Sequence, residues 1–167
     1  PTLLANMAST LDITSGGRLE LGIGAGWNEE ECEAYGIELG TMAERFDRFE
    51  EGLDVISLLL TQDRSNYAGN WFTLKDAMSN PKGPQNPLPI CVGGSGLRRL
   101  IPAAAKHAHH WNYGSPTMSQ ADFQMRHKVF LQACSDVGRN PEEIMISTIL
   151  RYEGDIAATV QQAEEYA

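Results

Sequence analysis

The residues most able to do chemistry stand together in Val92-Gly93-Gly94-Ser95-Gly96-Leu97-Arg98-Arg99. An apolar run, Pro89-Ile90-Cys91-Val92, reads as a short strand leading straight into these glycines, and a helix is predicted from Leu97 to His107. Glycines at a strand-to-helix turn let backbone N–H groups converge on a phosphate, and the helix dipole adds attraction. Arg98 and Arg99, read in the first helical turn, would be repelled by that dipole by about 0.3–1 kcal/mol each. An anion above them would reverse the penalty. The competing reading is a tight turn whose glycines merely permit positive φ. The pattern specifies a phosphate, not the molecule that carries it.

A second glycine cluster follows Leu19-Glu20-Leu21, as Gly22-Ile23-Gly24-Ala25-Gly26. It resembles the first motif of S-adenosylmethionine methyltransferases and fits the dinucleotide fingerprint poorly, because the third glycine comes one residue early. Either reading expects a strand ending in a ribose-binding acid about 20 residues on. Residues 40–62 instead carry a helical pattern. The motif is better read as a strand whose glycines let a planar ligand lie against the backbone, or as a close helix–strand contact.

Other candidates carry less. Glu29, Glu30, Glu31 and Glu33 read as a solvated helix face. On a strand, His110 and Asn112 share one face while His109 and Trp111 share the other, so the histidines diverge and no metal is expected. His110 or Asn112 at a strand end could line a pocket, or His110 could be a core histidine. Ser95 and Ser115 lack a nucleophile-elbow context. Trp71 and Phe72 read as packing.

The elements that must position these residues alternate. Leu3–Leu11 reads as a helix closed by Thr14-Ser15-Gly16-Gly17, and Arg18–Gly24 as a strand. Met42, Phe46, Phe49, Leu53, Ile56 and Leu60 recur at helical spacing, opened by the capping box Thr41/Glu44. Residues 65–89 read as a long loop with room only for a strand at Trp71–Leu74. A strand at His110–Tyr113, a helix capped by Ser119 and Asp122, a capped turn at Asn140-Pro141, a two-face-buried strand over Ile144–Leu150 and a helix from Ile156 complete the order. Strands joined by helical crossovers imply α/β architecture with a parallel sheet. Four strands suit part of a (β/α)8 barrel, which needs roughly 250 residues.

Thirteen basic residues stand against 22 acidic ones among 167, a net charge of −9. That balance opposes a general nucleic-acid binder and docking on anionic membranes. No apolar run approaches the ~18 residues of a membrane span. The length suits a single domain over residues 1–167. Cys32, Cys91 and Cys134 are odd in number and widely spaced, which fits a reducing cytosol and a cytoplasmic location. A start at Pro1, inside a helix, is expected of a piece of a longer polypeptide.

Taken together, the motifs resemble the luciferase-like monooxygenase superfamily, specifically its deazaflavin (coenzyme F420)-dependent oxidoreductases. The matching text is Leu4–Asp12, Ser15–Leu19, Gly22–Trp27, Glu44-Arg45-Phe46, Glu50-Glu51, Gly69 before Trp71-Phe72, Pro89–Gly96, Ala104–Ala108 and His110-Trp111-Asn112. The resemblance implies a TIM-barrel-type (β/α)8 fold of which this chain carries strands four to seven. It implies that Gly93, Gly94, Ser95 and Gly96 hold the cofactor phosphate, and Val92 and Arg98 beside them are expected in the same cofactor-binding site. It also implies that Gly24 and Gly26, with Trp27 and Asn28, approach the ring. Trp27 stands where some relatives have an acidic proton donor, and His109 near where many have Asp. The implied chemistry is hydride transfer through F420 or, alternatively, FMN, to or from a small-molecule substrate, with or without oxygen. A homodimer is a family expectation. A non-catalytic flavin or phosphate binder on the same scaffold stays open, and the chain alone is expected to be inactive.

Overall fold

The computed structural model describes residues 1–114 and 119–166. The chain divides into two compact units, Pro1–Ile90 and Cys91–Ala167.

In the first unit, α1 (Thr2–Ser15) ends on Gly16 at φ 68°. It outruns the predicted end at Leu11 because the Thr14 and Ser15 hydroxyls donate back to the carbonyls of Leu11 and Asp12, capping the last turn rather than breaking it. β1 (Leu21–Ile23) is the short core of the predicted strand, and the N–H of Leu21 donates to Pro89 O at 2.9 Å. After α2 (Glu29–Ala34) comes α3 (Met42–Thr61), opened by the predicted Thr41/Glu44 capping box. From Phe49 onward its apolar stripe is buried, with Leu53, Val55, Ile56, Leu59 and Leu60, and it packs on α1. Each such side chain contributes roughly 1.5–3 kcal/mol by leaving water. Met42, at the head of the stripe, is exposed.

The segment after α3 corrects the sequence reading. Instead of a loop with one strand, β2 (Ser65–Ala68) and β3 (Thr73–Ala77) form an antiparallel hairpin, with Ala68 opposite Thr73 and Ser65 opposite Ala77. Ser-Asn-Tyr-Ala has little strand propensity of its own. The hairpin is held from outside: the Glu51 carboxylate on α3 accepts the N–H groups of Asn70, Trp71 and Phe72 at 2.8, 2.9 and 3.1 Å. Gly69 is required here, since a Cβ would collide with that carboxylate.

Burial, the largest single influence on Glu51, pushes its carboxyl pKa up, yet the three N–H bonds together hold it below the ordinary value. A lowered folded-state pKa makes the contribution to stability fully present above the unfolded value of about 4.3 and lost as pH falls through the folded one. Amide-exchange protection at Asn70–Phe72, taken relative to the intrinsic rate at each pH, is therefore expected to fall on acidification below about pH 4.3. Glu51→Gln should remove that acid step; an unchanged step in the variant would contradict the assignment.

Residues beyond the hairpin are fastened to α1. Asp12, fully buried, accepts from the backbone N–H of Gln85 at 3.1 Å and from its Nε2 at 2.7 Å. The same amide donates to Leu19 O at 2.7 Å, tying helix, loop and the approach to β1 together.

The second unit is a parallel sheet with helical crossovers, the α/β arrangement the sequence predicts. Its elements are β4 (Ile90–Gly93), α4 (Leu100–His107), β5 (His110–Tyr113), α5 (Gln120–Asp136), β6 (Met145–Thr148) and α6 (Ile156–Glu164). Cys91, Val92 and Gly93 pair with His110, Trp111 and Asn112, which pair with Met145, Ile146 and Ser147. Val92, Trp111 and Tyr113 are fully buried, with Trp111 stacked on Phe130 of α5 at 4.6 Å. Both the Ser119/Asp122 capping box and the Asn140-capped turn form as predicted. β6 departs from expectation: Met145 is 57% exposed and Ile146, Ser147 and Thr148 are only half-buried, so neither face of the strand is fully covered. Among the described residues no helix is long and apolar enough to cross a membrane.

Candidate functional site

The loop after β4 sorts its glycines by physical need. The N–H of Gly94 donates to Asn112 O at 3.0 Å, extending the parallel ladder by one residue. Gly94 has φ 124°, and a Cβ there would lie 2.7 Å from Leu100 Cδ1, so the fold itself demands glycine. Gly93 and Gly96 escape that explanation. Neither has positive φ; a Cβ at Gly93 would meet nothing within 4 Å, and one at Gly96 only Leu100 Cβ at 3.5 Å. A tight turn accounts for Gly94 alone.

Two side chains grip the carbonyls of this loop. Trp111 Nε1 donates to Gly94 O at 2.8 Å, and Arg126 Nη1 of α5 donates to Ser95 O. Among the described residues the N–H groups of Ser95 and Gly96 have no acceptor. Beside them lie two buried polar atoms, Arg126 Nε and the hydroxyl of fully buried Tyr113, that make no hydrogen bond of good geometry among the described residues. Burial, the leading cause, pushes the Tyr113 phenol pKa up, and Arg126 works against it. Val92 can meet a ligand only through its backbone, because its side chain is fully buried.

Arg98 requires a correction. Helix α4 starts at Leu100, and Leu97–Arg99 form a turn ahead of it, so Arg98 is exposed outside the helix. Arg98 therefore escapes the dipole repulsion expected of a cation in the first helical turn. Pro102 is the reason: in a helix begun at Leu97 it would sit where an N–H to the Arg98 carbonyl is needed, whereas in the first turn its missing N–H costs nothing. The cation bonded to the loop is Arg126, about thirty positions away in sequence and invisible to local spacing.

The glycine bend belongs to the first unit. Gly22 and Gly24 lie exposed, and a Cβ at Gly22 would meet nothing within 4 Å, so a close helix–strand contact finds no support there. Gly26 has φ 82°, and its carbonyl accepts from Arg45 Nη1 at 3.1 Å. A hollow of about 370 Å³ beside the bend is lined by Ile23, Gly24, Gly26, Leu39, Phe49 and Phe72. Trp27 is 81% exposed. The Asn28 side chain is engaged as the N-cap of α2, accepting from the Glu31 N–H at 3.2 Å. The four glutamates after it are exposed.

The sheet face opposite the helices carries a polar group the sequence half disclosed. Asn112 Nδ2 donates to Ser147 Oγ at 2.7 Å, and His110 Nε2 lies 2.6 Å from the same hydroxyl. His110 and Asn112 share a face as predicted. Ser147 escaped notice, since only the β5–β6 register brings it there. Burial first, then Arg139, lowers the pKa of His109. None of the three cysteines forms a disulfide among the described residues. Ser115 lies outside the described residues.

The model of luciferase-like monooxygenases matches residues 1–167, the whole chain. The chain belongs to the luciferase-like monooxygenase family. Among curated relatives of this family, it is 29% identical over 161 residues to pyrimidine monooxygenase RutA of Klebsiella pneumoniae, covering 95% of this chain and 44% of that one. The chain thus spans less than half the length of that relative. An F420-dependent secondary alcohol dehydrogenase in complex with an F420-acetone adduct superposes with TM-score 0.78 at 21% identity, over 99% of this chain and 50% of that chain. A riboflavin lyase with modified FMN and substrate riboflavin superposes with TM-score 0.68 at 16% identity, over 97% and 41%. These likenesses bear out the partial (β/α) barrel fold.

Proposed function

We propose that the protein carrying this chain is an oxidoreductase that passes hydride through coenzyme F420 or FMN, to or from a small organic substrate. One observation carries the reading: Ser95 and Gly96 offer adjacent N–H groups without acceptors among the described residues, beside glycines at 93 and 96 that packing does not require. Such a pair suits phosphate, which accepts several N–H bonds at once. The residues present fit the group: the N–H groups of Ser95 and Gly96 would hold the phosphate, with Gly93 and Gly94 forming the approach to them. Arg98, exposed, is free to screen its charge from solvent. Bound, the cofactor would supply hydride transfer at its ring, and the protein would orient and shield it. Gly24 and Gly26 keep their proposed role of lying against a planar ring, which leaves Trp27 and Asn28 the less direct assignments.

F420 is the first choice on the matching text. The RutA relative, named a monooxygenase, favours a second reading in which FMN and molecular oxygen are used. Cytoplasmic location and a homodimer complete the proposal. Equilibrium titration of the intact protein with F420 and with FMN tests it, followed by turnover assays with and without oxygen. Binding of one cofactor with hydride transfer is expected. Binding without turnover would leave a non-catalytic binder, and binding of neither would overturn the reading.

A further inference from the structure

We propose that Trp111 and Arg126 are the positioning residues of the phosphate loop, turning two consecutive N–H groups toward the anion by holding the carbonyls behind them. This inference rests on the proposed phosphate reading and adds the residues that build the cradle. A trans peptide points its C=O and the following N–H in opposite directions. The Gly94–Ser95 and Ser95–Gly96 peptides are both trans. Trp111 Nε1 holds the first carbonyl and Arg126 Nη1 the second. Both donors come from the helix-covered side of the sheet: the Trp111 ring is fully buried and stacked on Phe130 of α5, the helix that bears Arg126. With both carbonyls drawn toward α5, the N–H groups of Ser95 and Gly96 face away from it, and neither finds an acceptor among the described residues. The ladder bond from Gly94 N–H to Asn112 O fixes where the pair begins.

Arg126 adds a charge. Its guanidinium lies one peptide away from where the anion would sit, and among the described residues its buried Nε has no partner. The peptide carries that field to the ligand, because a cation on the carbonyl makes the N–H beyond it a stronger donor. Neither residue need touch the ligand.

The test uses ligand pairs that differ in their phosphate: FMN against riboflavin, and F420 against its phosphate-free deazaflavin core, titrated into the intact protein. Wild type should prefer the phosphate-bearing member. Trp111→Phe keeps the aromatic packing and deletes the donor, and should reduce that preference about five- to tenfold, as expected for one hydrogen bond. Arg126→Gln removes the charge and should reduce it about ten- to a hundredfold. Arg126→Lys should restore part of the loss. Affinity for the phosphate-free member should stay at the wild-type value in each. Equal weakening of both members would mean a merely structural role and overturn the proposal, as would an unchanged preference. If wild type binds the ring but shows no preference for phosphate, the phosphate reading itself fails and takes this inference with it.

Discussion

Gly96→Asp is expected to weaken binding of a phosphate-bearing cofactor about a hundredfold, because repulsion between unit charges 4 Å apart lies between about 1 and 4 kcal/mol at surface-like dielectric values. Position 96 makes this a clean experiment. It is exposed, its φ is not in the left-handed region, and a new Cβ would make an ordinary 3.5 Å contact with Leu100. Stability should therefore stay within about 0.5 kcal/mol of wild type, as for most surface substitutions. Gly96→Asn, nearly the same shape without the charge, should bind within a fewfold of wild type. The more obvious choice, Gly94→Asp, would mislead. Its φ of 124° and the 2.7 Å approach of Leu100 would together cost about 2–4 kcal/mol, so binding would be lost through misfolding of the loop. Isothermal titration beside a urea midpoint separates the two outcomes. Wild-type affinity in Gly96→Asp would show that the phosphate sits elsewhere.

Asp12→Ala is expected to lower stability by about 3 kcal/mol, read as a shift in the denaturation midpoint of the intact protein. The residue is fully buried and accepts two N–H bonds from Gln85, one from the backbone and one from the side chain. Removing it leaves the Gln85 backbone N–H without that acceptor and frees the amide that also holds Leu19 O. Gly83 packs so tightly on Asp12 that a Cβ there would collide with its carboxyl group, so Gly83→Ala should reproduce much of the loss. Ser9 on the same helix provides the contrast. It is 3% exposed, its hydroxyl has no partner among the described residues, and Ser9→Ala should be neutral or slightly stabilising. A loss below about 1 kcal/mol for Asp12→Ala would contradict the fastening role.

What the sequence disclosed follows how far each signal reaches along the chain. Helix α3 was legible because a capping box and a helical stripe lie within a few residues of each other, and α5 through its capping box. Alternation on β5 placed His110 and Asn112 on one face for the same reason. The hairpin β2–β3 was not legible, because its turn is held by Glu51, some twenty residues earlier on another element. Pro102 did contain the true start of α4, and reading it would have moved Arg98 out of the helix. Arg126 and Ser147 had no local signature; the first reaches the loop from α5, and the second joins Asn112 only through strand register. The glycine motifs were legible as motifs. Which glycines the fold needs, and which stand open, required knowing what a Cβ would meet.

In the proposed function the Ser95–Gly96 turn receives the phosphate of the cofactor. A crystal structure of the intact protein with its cofactor bound tests it most directly. Phosphate oxygens are expected at about 2.7–3.2 Å from the backbone nitrogens of Ser95 and Gly96, with Trp111 and Arg126 still on the carbonyls behind them. A bound cofactor whose phosphate lies elsewhere, with those two N–H groups facing only solvent, would contradict it.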